Sequence, residues 1–130
     1  MPVIEVAAAL IRDASGRYLI AQRADGAPHA GLWEFPGGKR DADESLEECL
    51  RRELAEELGA TFRVGERIET IVWPESDATI ALSFYRCVHE HGTIEARTAR
   101  AVVWVEPTRL GDYDFPPADR ALIDRLRAAG

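Results

Sequence analysis

Three glutamates lie close together near the middle of the chain, at Glu53, Glu56 and Glu57. If this segment is a helix, Glu53 and Glu57 are one turn apart and Glu56 lies on the same flank, so their charges repel. This repulsion lowers the stability of the helix unless a cation neutralises the charges. Oxygen ligands at this density favour Mg²⁺ or Mn²⁺. The alternative is a solvated helix face with ion pairs along it. We favour the metal site, because ion pairing does not explain three acidic side chains on one flank.

The segment that carries these glutamates predicts a helix over about Leu46 to Leu58. Ser45 and Glu48 have the spacing of a capping box at its start. Gly59 follows the last apolar position, where a left-handed C-cap is expected. Apolar side chains recur every four residues and predict a buried stripe, formed by Leu46, Leu50, Leu54 and Leu58. The glutamates therefore lie beside the side of the helix that must be buried.

The spacing of this region extends well beyond the glutamates. The pattern begins at Gly38, and Glu44 follows after five intervening residues. Seven more residues separate Glu44 from Arg52-Glu53-Leu54, which is followed after one residue by Glu56-Glu57 and after one more by Gly59. This pattern resembles the Nudix box, the signature of the Nudix hydrolases. The preceding run from Gly31 to Lys39 is similar to that of MutT-type members. Two positions depart from the family pattern, since Asp43 stands where glycine is common and Ala60 where a larger aliphatic residue is common.

The resemblance implies a fold and a chemistry. The fold is α/β, with a mixed β-sheet in an α/β/α sandwich, and we expect one Nudix domain over residues 1–130. The reaction is the hydrolysis, with Mg²⁺ or Mn²⁺, of a nucleoside diphosphate linked to another moiety. The residues implied as metal ligands are Glu53, Glu56, Glu57 and the carbonyl of Gly37. Arg52 is expected to orient Glu53, the general base is either Glu53 or Glu56, and structural roles fall to Gly38, Glu44 and Gly59.

The resemblance to MutT-type triphosphate pyrophosphohydrolases covers nearly the whole chain, including Val6–Ala9, Ala21–Arg23 and Phe115–Asp119. It implies that Arg23 and Asp119 contact the nucleotide. Asp119 has an alternative role as a first-turn acid that stabilises the start of a helix. Lys39 is a candidate phosphate contact or an exposed loop residue, and Phe35 packs either against a base or in the core.

The favoured substrate is 8-oxo-dGTP, which is converted to the monophosphate and pyrophosphate in sanitising the nucleotide pool for DNA repair. CTP or a modified dCTP is the alternative. An ADP-ribose hydrolase and a non-catalytic nucleotide-binding Nudix domain stay open as further possibilities. One departure bears on catalysis, since Thr98 stands where MutT-like members often carry a further glutamate. Either Glu95 takes that role or the chain lacks this ligand.

Outside the box, alternation and turn residues predict strands over Val3 to Arg12, Arg17 to Arg23, Thr61 to Trp73, Thr79 to His89, Thr93 to Arg97 and Ala101 to Val105. Asp13 to Gly16 predicts a hairpin turn between the first two strands. Pro117 is placed to begin a second helix.

Composition narrows the class of protein. The 130 residues carry a net charge of −7, which argues against binding a nucleic-acid polymer but not against a nucleotide that arrives with Mg²⁺. No apolar run is long enough to span a membrane, and no basic lead precedes the first apolar stretch, so we expect no signal peptide. Cys49 and Cys87 predict two buried thiols and a cytoplasmic location. We expect a monomer or a homodimer.

Overall fold

The computed structural model describes residues 2–129. In that part of the chain the strands are β1 (Val3–Ile11), β2 (Tyr18–Gln22), β3 (Trp33–Glu34), β4 (Gly37–Lys39), β5 (Thr61–Pro74), β6 (Thr79–His91) and β7 (Ala101–Val105). The α-helices are α1 (Leu46–Leu58) and α2 (Arg120–Ala129). Short 3₁₀ turns span Pro107–Asp112 and Pro117–Asp119.

The strands form two sheets that share one layer. The larger sheet has the order β4-β1-β6-β5, and it is mixed because β1 and β6 run parallel while its other pairs run antiparallel. The smaller sheet is antiparallel, with the order β3-β2-β7. The α/β fold class is confirmed, with its strands divided between two sheets.

β1 explains how a helix comes to lie on each face of this layer. Side chains alternate across a strand, so Ala7, Ala9 and Ile11 pack in one core cluster with the leucines of α1. Ala8 and Leu10 point the other way, into the cluster that contains Leu122 and Ile123 of α2. β1 is therefore apolar on both sides, as a strand buried between two helices must be.

Helix α1 begins and ends where the sequence predicts. The Ser45 hydroxyl accepts a hydrogen bond from the Glu48 N–H at 3.0 Å, and Glu48 Oε1 accepts one from the Ser45 N–H at 2.8 Å. Gly59 closes the helix in the left-handed conformation, with a φ of 67°. Cys49, Leu50, Leu54 and Leu58 are buried. Truncation of one such leucine to alanine typically costs about 2–5 kcal/mol.

The pairing predicted for the first two strands is wrong. A turn does follow β1, but β1 and β2 meet only at the single bridge between Arg12 and Tyr18. β1 pairs instead with β4 and β6, and β2 pairs with β3 and β7. A strand that is apolar on both faces can take a central place in a sheet, and here β1 has a partner on each edge.

The prediction of a strand over Thr93 to Arg97 is also wrong, because this segment is hydrogen-bonded to the end of α1. The Glu95 N–H donates to the carbonyl of Leu58, and the Arg97 N–H donates to the carbonyl of Glu57, both at 2.9 Å. The last carbonyls of a helix have no partner within the helix. The N–H groups of this segment thus bind the free carbonyls at the end of α1 and do not pair with a neighbouring strand.

Cys49 and Cys87 are buried free thiols, as predicted. Burial raises the pKa of Cys49 to about 11 and that of Cys87 to about 12. Among residues 2–129, no helix has the length and apolar character needed to cross a membrane.

Candidate active site

A cavity of about 810 Å³ lies between the flank of α1, the glycines of β4 and the 3₁₀ turn before α2. Its volume falls within the range of small-molecule sites. The side chains on its wall combine acids with apolar groups and include Arg23, Glu34, Phe35, Lys39, Glu53, Glu57, Leu82, Trp73, Thr98 and Asp119. Gly37 and Gly38 also line it. Most of the predicted site residues thus come together in one place.

Arg52 ties the loop before α1 to the carboxylates on the helix. It donates to Glu44 Oε1 at 2.6 Å and to Oε2 at 3.0 Å. It also reaches Glu53 Oε1 at 3.0 Å and Glu56 Oε2 at 3.4 Å. Glu44 accepts the Asp41 N–H as well, and the Arg52 hydrogen bonds, followed by this one, lower the pKa of Glu44 to about 2. Arg52 therefore fixes the position of Glu53, and Glu44 fixes Arg52.

Glu57 is held against β4 by a backbone contact. Its Oε2 accepts a hydrogen bond from the Gly37 N–H at 3.0 Å. Burial, with smaller contributions from the charges of Glu34 and Glu53, raises the pKa of Glu57 to about 8. Burial also raises the pKa of Glu53. The site therefore disfavours the ionised form of both carboxyls, and a bound divalent cation would reverse that preference.

The three predicted ligands are not equivalent. Glu53 and Glu57 line the cavity, whereas the side chain of Glu56 is 57% exposed and reaches only toward Arg52. Within residues 2–129, no three metal-ligating side chains lie close enough to form a site as they stand. Glu53 and Glu56 instead accept hydrogen bonds from Arg52, and Glu57 accepts one from the Gly37 N–H. Carboxylate oxygens are nevertheless the ligands that a hard divalent cation such as Mg²⁺ prefers.

Both glycines of β4 are required by close approach. A Cβ on Gly37 would lie 1.9 Å from the carbonyl oxygen of Ala7, because β4 pairs with β1 at this point. A Cβ on Gly38 would lie 2.3 Å from the carboxyl carbon of Glu53. The cost of substitution therefore differs between the two positions. A Cβ at Gly37 meets rigid backbone, whereas a Cβ at Gly38 meets the movable end of a side chain.

We expect Gly38→Ala to lower kcat by about 10²-fold, because displacement of a reacting group by about 1 Å has effects of that size. The added methyl group pushes the Glu53 carboxylate out of place. The measurement is turnover together with thermal unfolding. Gly111→Ala is the control, since its Cβ meets only the Arg127 guanidinium, at 3.0 Å, outside the cavity. Unchanged kcat in folded Gly38→Ala contradicts the prediction.

Glu34 is a site residue that the sequence reasoning missed. It lies in β3 with its carboxylate in the cavity and accepts a hydrogen bond from Arg23 Nη1 at 2.8 Å. Burial raises its pKa. The signal in the sequence was that Glu34 is the one charged residue in the run from Gly31 to Gly38. Charged residues are seldom buried unless they are paired.

Asp119 is buried, with 5% of its surface exposed, and lines the cavity. Burial, with a smaller contribution from the charge of Glu34, raises its pKa to about 7. Within residues 2–129, no hydrogen bond from another residue is among the causes of this shift. Its carboxyl group is therefore available to a ligand, which favours the nucleotide contact over a role confined to the helix start.

The other predicted nucleotide contacts differ in their surroundings. Arg23 borders the cavity, but its guanidinium already binds Glu34 and the carbonyl of Pro28, so it positions Glu34. Phe35 is buried and packs edge-on against Phe84, with the ring centroids 6.0 Å apart. It is a core aromatic with one edge on the cavity. Lys39 is exposed at the rim.

Thr98 and Ala99 line the cavity where the further glutamate was expected. Glu95 does not replace it. The Glu95 side chain is 56% exposed and lies 3.6 Å from the guanidinium of Arg97, and its backbone is fixed to the end of α1. The structure therefore places a hydroxyl group, not a carboxylate, on this part of the wall.

Comparisons with known proteins agree with this geometry. Residues 7–125 match a family model described as the NUDIX domain. The chain is 41% identical over 128 residues to the CTP pyrophosphohydrolase of Escherichia coli K12, covering 98% of the chain and 94% of that relative. It is 38% identical over 124 residues to the 8-oxo-dGTP diphosphatase of Haemophilus influenzae, covering 95% and 91%.

Solved structures give the same result. The solution structure of the E. coli ORF135 protein superposes with a TM-score of 0.86 at 42% identity, covering 99% of this chain and 94% of that one. The MutT protein from Methanosarcina mazei Go1 also has a TM-score of 0.86, at 27% identity, covering 98% and 95%. The chain therefore belongs to the NUDIX domain family, as a Nudix hydrolase.

Proposed function

We propose that this protein converts a nucleoside triphosphate to the nucleoside monophosphate and pyrophosphate, with 8-oxo-dGTP as the first candidate substrate. The observation that carries this proposal is the composition of one cavity. Glu53 and Glu57, beside the glycines of β4, line the same cavity as the buried carboxyl of Asp119 and an apolar wall. A triphosphate and a base need those two environments side by side.

The residues proposed to hold Mg²⁺, or Mn²⁺, are Glu53, Glu56, Glu57 and the carbonyl of Gly37. The support is the all-oxygen donor set and the raised pKa values of Glu53 and Glu57. When bound, such a metal neutralises charge on phosphate oxygens and lowers the pKa of a coordinated water. The two carboxyls in the cavity would then be ionised at neutral pH.

Among the protein groups, Glu53 is the better general base of the two candidates. It borders the cavity and is oriented by Arg52, whereas Glu56 is mostly exposed. A general base must lie within hydrogen-bond reach of the proton that it removes. Lys39, at the rim, is proposed to contact phosphate as a point charge.

Base recognition is assigned to Asp119, with Glu34 beside it. An ionised carboxylate only accepts hydrogen bonds, whereas a neutral carboxyl both donates and accepts. The ionised form fits the adjacent N–H groups of a guanine edge. The neutral form fits cytosine, which presents a ring acceptor next to its exocyclic amine.

The pH dependence of binding is expected to identify which edge is held. The pKa of Asp119 is raised to about 7, so Asp119 ionises as pH rises through that value. Affinity for 8-oxo-dGTP held through its N–H pair then increases between pH 6 and pH 8, and affinity for CTP decreases. The measurement is KM for each substrate in wild type and in Asp119→Asn, which does not titrate. If Asp119→Asn keeps the wild-type profile, another group is responsible.

CTP or a modified dCTP is the second candidate, supported by the 41% identical relative named CTP pyrophosphohydrolase. The deciding experiment is pyrophosphate release with Mg²⁺ from 8-oxo-dGTP, dGTP, CTP, 5-methyl-dCTP and ADP-ribose. Preference for one triphosphate selects between the two candidates. Equal turnover of all bases contradicts both, and cleavage of ADP-ribose alone moves the activity to a different substrate class.

The setting proposed for this activity is the reducing cytoplasm, supported by two buried free thiols. We also propose that the whole chain acts as one catalytic domain, since the family match spans residues 7–125.

A further inference from the structure

Trp73 stands apart from the other exposed apolar side chains. Within residues 2–129, the exposed large hydrophobic residues are Val3, Val72, Val88 and Trp73, the last at 37%. Of these, only Trp73 lies on the wall of the cavity. A tryptophan usually buries a large apolar area, so a partly exposed indole on the cavity wall is unusual.

The register of the large sheet shows what surrounds it. Trp73 of β5 is opposite Ile80 of β6, which is in turn opposite Ile4 of β1. Directly opposed residues share a face of the sheet, so Trp73 is on the same face as Ile80. By the same pairing, Leu82 and Val6 lie on that face two residues further along.

These side chains form the apolar floor of the cavity. Val6, Ile80 and Leu82 all line it and are only half-buried. The floor begins at β4, which carries Gly37, and crosses β1 and β6 to reach β5. Three strand spacings amount to about 14 Å. Trp73 is thus at the opposite edge of the sheet from the glycines and the proposed metal ligands.

The indole is free to stack. Other aromatic residues near the cavity are paired, as Phe35 is with Phe84 and Phe115, and Trp33 is with Tyr113. In the part of the chain that the structure describes, no aromatic ring packs against Trp73. Its place is fixed by the hairpin, whose turn is closed by the Glu75 N–H and the carbonyl of Ala78 at 2.8 Å.

We propose that Trp73 is the stacking platform for the base of the substrate. This inference rests on the proposed function and deepens it. The carboxyls of Asp119 and Glu34 accept hydrogen bonds from the edge of a base, and an indole contacts its face. Stacking tolerates every base, so Trp73 supplies affinity while Asp119 supplies selection between bases.

The test compares Trp73→Ala with Trp73→Phe, and uses Val72→Ala as the matched control. Val72 is the preceding residue, is 65% exposed and does not line the cavity. For the preferred triphosphate, Trp73→Ala is expected to raise KM roughly tenfold or more with little change in kcat. Trp73→Phe retains most of the affinity, and Val72→Ala behaves as wild type. An unchanged KM in Trp73→Ala overturns the inference.

Two further measurements separate stacking from a general disturbance. Inorganic tripolyphosphate has no base, so its inhibition constant should be the same in wild type and Trp73→Ala. A parallel loss of tripolyphosphate binding contradicts a stacking role. Titration with CMP or GMP should quench the tryptophan fluorescence of wild type but not of Trp73→Phe, which keeps Trp33 and Trp104.

Failure of this inference is distinguishable from failure of the proposed function. If wild type releases pyrophosphate from nucleotides and Trp73→Ala does so equally well, Trp73 is not the platform and the function stands. If wild type cleaves no nucleoside triphosphate, the proposed function fails. The fluorescence titration then decides separately whether Trp73 binds a base, and absence of quenching rejects that as well.

Discussion

Glu53→Gln is expected to lower kcat by on the order of 10³-fold, the range attributed to loss of a general base. Glu53 borders the cavity, and its carboxylate is fixed by Arg52 at 3.0 Å. The substitution keeps the size and the hydrogen-bonding ability of the side chain but removes its basicity and its charge. Pyrophosphate release with Mg²⁺ measures the effect, and circular dichroism checks that the variant is folded.

Glu47→Gln is the matched control for this experiment, because Glu47 lies on the same helix and is exposed to solvent. It removes the same charge from α1 without touching the cavity. Glu56→Gln adds a second comparison, and we expect a smaller loss, since Glu56 reaches only toward Arg52. Activity of Glu53→Gln within tenfold of wild type rejects Glu53 as the base. A larger loss in Glu56→Gln transfers the role to Glu56.

Without divalent metal, the free energy of unfolding is expected to fall as pH rises from about 5.5 to 8.5. The pKa of Glu57 is about 8 and that of Asp119 about 7 in the folded protein, against ordinary values of 4.5 and 3.8. The folded state therefore binds more protons than the unfolded chain across this window, so stability is lost as protons leave. The two shifts together correspond to a loss on the order of 5 kcal/mol.

The sign of this effect separates it from ordinary acid unfolding. Glu44, with its pKa lowered to about 2, contributes stability that is lost only as pH falls below its usual value of 4.5. The measurement is urea unfolding with a chelator at pH 5.5 and pH 8.5. Glu57→Gln should be more stable than wild type at pH 8.5, and Glu47→Gln should match wild type.

Metal addition supplies the complementary result. At pH 8.5 the carboxyls are ionised, so Mg²⁺ should restore much of the lost stability in wild type by binding the folded state. Glu57→Gln should gain less from the same Mg²⁺ concentration. A wild-type stability that is independent of pH, or a Glu57→Gln variant that is less stable at pH 8.5, contradicts this account.

Features with local causes could be read from the sequence. The bounds of α1 followed from Ser45, Glu48 and Gly59, each of which acts within one turn of a helix end. The positions of Glu53 and Glu57 in the cavity followed from the same helix, because the leucine stripe determines which flank is adjacent to the core.

Features that depend on distant partners could not be read in this way. Glu34 becomes a site residue only because folding brings it close to Glu57 and Asp119, which are far away in sequence. The error at Thr93 to Arg97 has a similar origin. The segment alternates as a strand does, but its N–H groups bond to the end of α1, and no local pattern reports that.

The parallel pairing of β1 with β6 also governs when the protein can assemble during synthesis. Val3 lies opposite Thr79 and Ile11 lies opposite Cys87, so most of the chain must be made before the centre of the large sheet can close. Contacts between segments so distant in sequence form slowly. The hairpin of β5 and β6 is local and can form first. As the chain leaves the ribosome, β4 can pair with one edge of β1 early, but the other edge stays unpaired until β6 is made. A product truncated after α1 therefore lacks the β6 strand that it needs to fold.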